Sequence, residues 1–180
     1  MTGLYTTEIE CLASRLLSKD NPKEITRLGS NSSRWLGVYA RDELPDLEHS
    51  ERPFALVFNT HPKDKPEQHW LAIYAPSNSP IEFFDSFGMA PSFYGLSNSF
   101  IHTRRSFQSF TSDLCGNYAL YFIFYRSRNI SFTEIVSILS SFVVPDNHVK
   151  IYVNHLQCIY HTSYPCTRTG QCCTFKCSFC

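Results

Sequence analysis

The chain has 180 residues, and sixteen Lys plus Arg balance sixteen Asp plus Glu, so its formal net charge is zero. That length suits one domain with a sizeable core, and the charge balance lacks the basic excess a phosphate backbone attracts, which sets nucleic acid aside as a main partner. A hydrophobic share of 43% with 15% aromatics excludes a disordered chain, and no run approaches eighteen uninterrupted apolar residues, so no membrane span is expected.

In chain order, "TTEIECLASRLL" places Ile9, Leu12, Ala13, Leu16 and Leu17 at helical spacing, with Thr7 and Glu10 as a capping box. The first residues lack a basic region and a continuous apolar core, so no secretory signal is read. Lys19 to Ser33 reads as a loop, and "RWLGVYARDELP" as extended or irregular chain. "FALVFNT" is a β-prone apolar run that suits a buried strand. After the loop "HPKDKPEQ", the runs "HWLAIYA" and "IEFFDSFG" are two more strands, and "PSNSP" turns the chain between them. A polar stretch with weak structure follows. "DLCGNYALYFIFYR" is apolar on almost every side, as a helix inside a core must be. "FTEIVSILSSFV" carries an apolar stripe and is expected to end before Pro145, and "HVKIYVNHL" is a last helix or strand. This order predicts an α+β domain, a small and mainly antiparallel sheet packed against helices. The buried central helix would carry Cys115 at its N-terminus.

Cysteine usage divides the chain. Cys11 and Cys115 stand alone, whereas the other six fall between Cys158 and Cys180. Residues 1–157 therefore read as a reduced, intracellular domain in nucleus or cytoplasm, and residues 158–180 as a Cys-rich tail. In that tail Cys177 and Cys180 form half a zinc ligand set, which Cys172 or Cys173 with His161 would complete, but the spacings fit no zinc module. The tail is read as disordered or weakly metal-binding.

The candidate chemistry starts at the hairpin. If "PSNSP" pairs Ala75 with Ile81, paired residue numbers sum to 156 and Asp85 falls opposite Leu71. His69, two residues from Leu71, then points to the same face as Asp85. Diagonal neighbours of this kind stand about 7 Å apart, which lets a carboxylate reach an imidazole. A register slip of one would separate the pair. Cys115 sits just inside a helix start, with Ser112 or Asp113 as candidate cap, where backbone N–H groups favour a thiolate. Gly116 leaves room beside the sulfur for a substrate backbone. Gln108, seven residues ahead of Cys115, carries an amide N–H₂ that can meet a developing oxyanion. His69, Asp85, Gln108 and Cys115 together are a base, its orienter, an oxyanion donor and a nucleophile.

"HW", then "FFDSFG", then a glutamine seven residues before "CG" resembles the adenovirus protease (adenain) family of cysteine proteases. "GVYARDELP", "FALVFNT" and "FVVPDN" extend the resemblance over about residues 5–157. The SUMO-deconjugating (Ulp-type) proteases share these elements more loosely and usually place the glutamine six residues before the cysteine. The resemblance implies a His69–Asp85–Cys115 triad, Gln108 in the oxyanion hole, and Trp70 beside the catalytic histidine. It implies an endopeptidase acting on viral or transposon precursor proteins at sites with small residues, commonly after glycine. It also implies stimulation by DNA and by a peptide disulfide-bonded to the enzyme. The chain has no cysteine between Cys11 and Cys115, and Ser97 stands where the peptide-binding cysteine is expected, so no activator is expected to be required. A monomer acting on a protein or peptide substrate is the expectation. The rival readings are a deconjugase of a ubiquitin-like modifier and a decayed, non-catalytic binding module.

Overall fold

The computed structural model describes residues 4–17, 33–66 and 68–163, with side chains to residue 157. Four helices, α1 (Thr6–Leu16), α2 (Cys115–Ser127), α3 (Phe132–Ser140) and α4 (Pro145–Ser163), cover a sheet of five strands. The strands are β1 (Arg34–Tyr39), β2 (Phe54–Asn59), β3 (Trp70–Ala75), β4 (Glu82–Phe84) and β5 (Ile101–His102), and their order in the sheet is their order in the chain. The fold is α+β. The sheet's centre is antiparallel, β2 with β3 and β3 with β4, while β1 joins β2 and β5 joins β4 in parallel.

Every residue of β2, β3 and β4 is buried. Two apolar layers explain why these strands do not alternate apolar with polar. Ala55, Val57, Ala72, Tyr74 and Phe84 face the helices. Phe54, Leu56, Phe58, Leu71, Ile73 and Phe83 face a second cluster that Tyr94 and Phe100 close from the connection between β4 and β5. A strand covered on both faces loses the polar side of the pattern. Helix α2 is buried from Cys115 to Phe124, as its continuous apolar sequence predicts, and it packs on β3, α1 and α4.

Several local expectations are corrected. The N-cap of α1 is Tyr5, whose N–H donates to the Glu8 carboxylate over 2.9 Å, so Thr7 lies within the helix. Helix α3 ends before Pro145 as expected, and Pro145 also opens α4, where its missing N–H costs nothing. "RWLGVY", read as extended or irregular, is an edge strand, and β5 emerges from the polar stretch read as weakly structured. Helix α4 runs on to Ser163, past the boundary at 157 drawn from the cysteine pattern. Cys11 on α1 is disulfide-bonded, so it is not the reduced thiol its isolation suggested. Cys115 is a free thiol. The tail candidates Cys172, Cys173, Cys177 and Cys180, and the His161 side chain, lie outside the described residues. Among the described residues no helix is long and apolar enough to cross a membrane, and no cluster of His, Cys, Asp or Glu could hold a metal ion.

Candidate active site

The hairpin register places the first half of the site. Ala72 pairs with Phe84, Ile73 with Phe83 and Tyr74 with Glu82, the register expected from the turn. His69 immediately precedes β3 and Asp85 immediately follows β4, so both sit at one end of this ladder. His69 Nε2–H donates to Asp85 Oδ1 over 2.8 Å. The histidine backbone is held as well, since its carbonyl accepts from Thr60 N–H at 3.0 Å.

Asp85 is fully buried and every lone-pair direction is used. Oδ1 also accepts from Phe87 N–H at 2.9 Å. Oδ2 accepts from Met89 N–H at 3.1 Å and from the Tyr94 hydroxyl at 2.8 Å. Burial, then the charge and hydrogen bond of Asp85, hold the Tyr94 phenol above its ordinary range, so it stays a donor. A buried carboxylate with four donors is fixed in both position and orientation. The tight turn that supplies two of those donors requires Gly88, whose φ is +72°. A Cβ there would come within 2.5 Å of the Arg105 backbone.

Helix α2 delivers the nucleophile from the other side. Cys115 is its first residue, so its N–H has no acceptor within the helix. Neither Ser112 nor Asp113 is the N-cap: that place falls to Leu114, which has no side-chain cap bond. Ser112 instead uses its hydroxyl oxygen to accept from Leu114 N–H at 3.4 Å. With Nε2 occupied by Asp85, Nδ1 is the ring nitrogen of His69 left for Cys115, which lines the same groove. Burial by itself pushes the imidazole's pKa down. The Asp85 hydrogen bond, the neighbouring Cys115 and the charge of both outweigh it and raise the pKa from 6.5 to about 9. An imidazole that keeps its proton at neutral pH is the partner a thiolate needs.

Gln108 is buried beside them, at 3% exposure. Its Nε2 donates to the Ser112 carbonyl at 2.8 Å, and its Oε1 accepts from the Ser86 hydroxyl at 2.6 Å. An amide nitrogen carries two hydrogens, so one N–H remains. Behind this loop, the buried Asp146 at the start of α4 accepts from the Tyr118 hydroxyl at 2.7 Å and from Ser109 N–H at 3.3 Å.

His69, Gln108, Cys115 and Trp70 line one groove of about 810 Å³. Asp85 lies behind the histidine, outside the lining. Phe87 packs on the His69 ring at 4.8 Å, and the exposed Phe110 stacks on Phe87 at 5.7 Å. Trp70 is both core and groove wall: it is 5% exposed, and its Nε1–H donates to the Leu4 carbonyl at 3.1 Å. Gly116 does not open toward substrate. A Cβ on it would meet Leu4 Cβ and Ile9 Cδ1, both at 3.1 Å, so its lack of a side chain admits the N-terminal segment and α1. The four residues expected to act together are thus brought to one place, and the glycine serves packing.

Sequence reasoning missed Tyr94, Ser86, Asp146 and the Leu4 carbonyl. Ser86, adjacent to Asp85, carried a positional signal but no pairing. The other three meet the site only through distant chain, and no local pattern announces them. No model of a known protein family matches the chain, and no characterised protein matches it.

Proposed function

We propose that the protein is a cysteine endopeptidase. One observation carries this reading: an imidazole bonded to a buried carboxylate lines one groove with a thiol at a helix N-terminus and a buried glutamine amide. The Cys115 sulfur attacks a peptide carbonyl as thiolate, and the new C–S bond places negative charge on the carbonyl oxygen. The free Gln108 N–H and the Cys115 backbone N–H meet that charge; one such donor is worth about 3–4 kcal/mol in rate. The C–N bond breaks as the His69 imidazolium gives its proton to the leaving amine. Water then adds to the thioester, His69 takes its proton, and the C–S bond breaks, which returns Cys115 to thiolate and releases the acid product. Asp85 touches no reacting atom. It holds the ring in one orientation and supports its positive charge, which makes it a positioning residue.

The resemblance to the adenovirus protease family supplies the substrate class, precursor proteins of a virus or a virus-like DNA transposon, cut at glycine-containing sites. The test is incubation of the wild type and Cys115→Ala with a library of glycine-containing peptides. Cleavage by the wild type alone is expected. Cleavage by both forms would remove Cys115 as the nucleophile. Labelling of Cys115 by a ubiquitin-like aldehyde probe, with no cleavage of short peptides, would replace the endopeptidase with a deconjugase.

A further inference from the structure

Ser86 is 2% exposed and is not among the residues that line the groove. Its hydroxyl and its carbonyl both bond the Gln108 loop. Its hydroxyl donates to Gln108 Oε1 at 2.6 Å. Its carbonyl accepts from Phe107 N–H at 2.8 Å and from Gln108 N–H at 3.1 Å.

An amide side chain has two orientations that differ by exchange of oxygen and nitrogen. Their packing is almost identical, so hydrogen bonds must choose between them. A carbonyl acceptor at Ser112 selects nitrogen on one side, and a hydroxyl donor at Ser86 selects oxygen on the other. The flipped amide would set Oε1 against the Ser112 carbonyl. The Ser86 hydroxyl can itself rotate to accept, which weakens its vote, but its carbonyl cannot, and that carbonyl fixes the backbone from which Gln108 projects.

We infer that Ser86 is the positioning residue of the oxyanion site: it orients the Gln108 amide so that one N–H faces the carbonyl oxygen attacked by Cys115. This rests on the endopeptidase reading above. It also gives the turn after β4 a double task. Asp85 holds the imidazole, and the next residue holds the oxyanion donor, so one short stretch of backbone sets the spacing between the two halves of the site.

The test uses the full chain with Ser86→Ala, Ser86→Cys, Gln108→Ala and Ser86→Ala/Gln108→Ala. Two readouts are taken: hydrolysis of an activated N-acetylglycine ester, and the iodoacetamide alkylation rate of Cys115. Loss of a whole oxyanion donor costs on the order of 10²–10³ in kcat. Ser86→Ala, which frees the amide without deleting it, should lower kcat roughly 10–100-fold with KM within about twofold, and Ser86→Cys should fall between it and the wild type. Alkylation should stay within about twofold, because the thiol–imidazole pair is untouched. Adding Ser86→Ala to Gln108→Ala should cost nothing further. An additive loss in the double variant, or alkylation that slows in step with kcat, would mean that Ser86 merely supports the fold and would overturn the inference. If Ser86→Ala does not fold, Ser86→Cys carries the same comparison. Equal ester hydrolysis by wild type and Cys115→Ala is a separate result, and it would remove the protease reading itself.

Discussion

The Asp85→Asn substitution isolates the charge that holds His69 protonated. The raised imidazole pKa, from 6.5 to about 9, corresponds to roughly 3 kcal/mol of preference for the charged ring. Because the folded value lies above the unfolded one, that stabilisation is present in full below pH 6.5 and is lost as pH rises through about 9. Asparagine removes the charge while keeping the shape. Burial then acts with only the Cys115 contact against it, and the His69 pKa should fall well below 9 toward the ordinary range. A second cost is local. His69 and Phe87 N–H donate to one oxygen, and Met89 N–H and the Tyr94 hydroxyl to the other. An amide N–H₂ must therefore face donors on either side, and a buried donor left unmet costs about 1–3 kcal/mol. The assay is an NMR titration of the His69 ring in both proteins, with urea unfolding at pH 6 and pH 10. The wild type should titrate near pH 9, and the variant should be less stable at pH 6. The variant should also lose most of the wild type's drop in stability between the two pH values. A wild-type midpoint near the ordinary value, or an unchanged midpoint in Asp85→Asn, would refute the reasoning.

Gly88→Ala should destabilise by at least about 1–2 kcal/mol from the left-handed backbone alone, and by more where the new Cβ meets Arg105 within 2.5 Å; urea unfolding measures it. Asp146→Ala unpins Ser109, the neighbour of Gln108, and strands the buried Tyr118 hydroxyl on a longer bond to the Phe107 carbonyl at 3.2 Å. A loss of about 2–3 kcal/mol and a lower kcat are expected, whereas a lower kcat without lost stability would contradict this account. Glu82→Gln removes one partner of the buried pair with Arg126, bonded at 2.6 and 3.0 Å. It should cost about 3–5 kcal/mol in chemical unfolding while leaving the rate per folded molecule unchanged.

The hairpin shows how far local sequence reaches. A turn signal of five residues sets which numbers pair, pairing sets which side chains share a face, and the His69–Asp85 contact follows within one ladder. The apolar stretch after Cys115 likewise announces a buried helix with the sulfur at its start. Both rest on contacts between residues close in the chain, where few conformations compete. What the tertiary structure alone decided has the opposite character. That Ser86 rather than solvent meets Gln108 depends on where a loop returns twenty-two residues later. That Tyr94 closes on Asp85, and that Asp146 braces the loop from thirty-seven residues away, depends on packing. Gly116 was misjudged for the same reason: a glycine records only that something comes close, and here Leu4 of the N-terminal segment and Ile9 of α1 are what come close. Side-chain periodicity carries the direction a residue faces, and the identity of what it meets is settled only when the layers assemble.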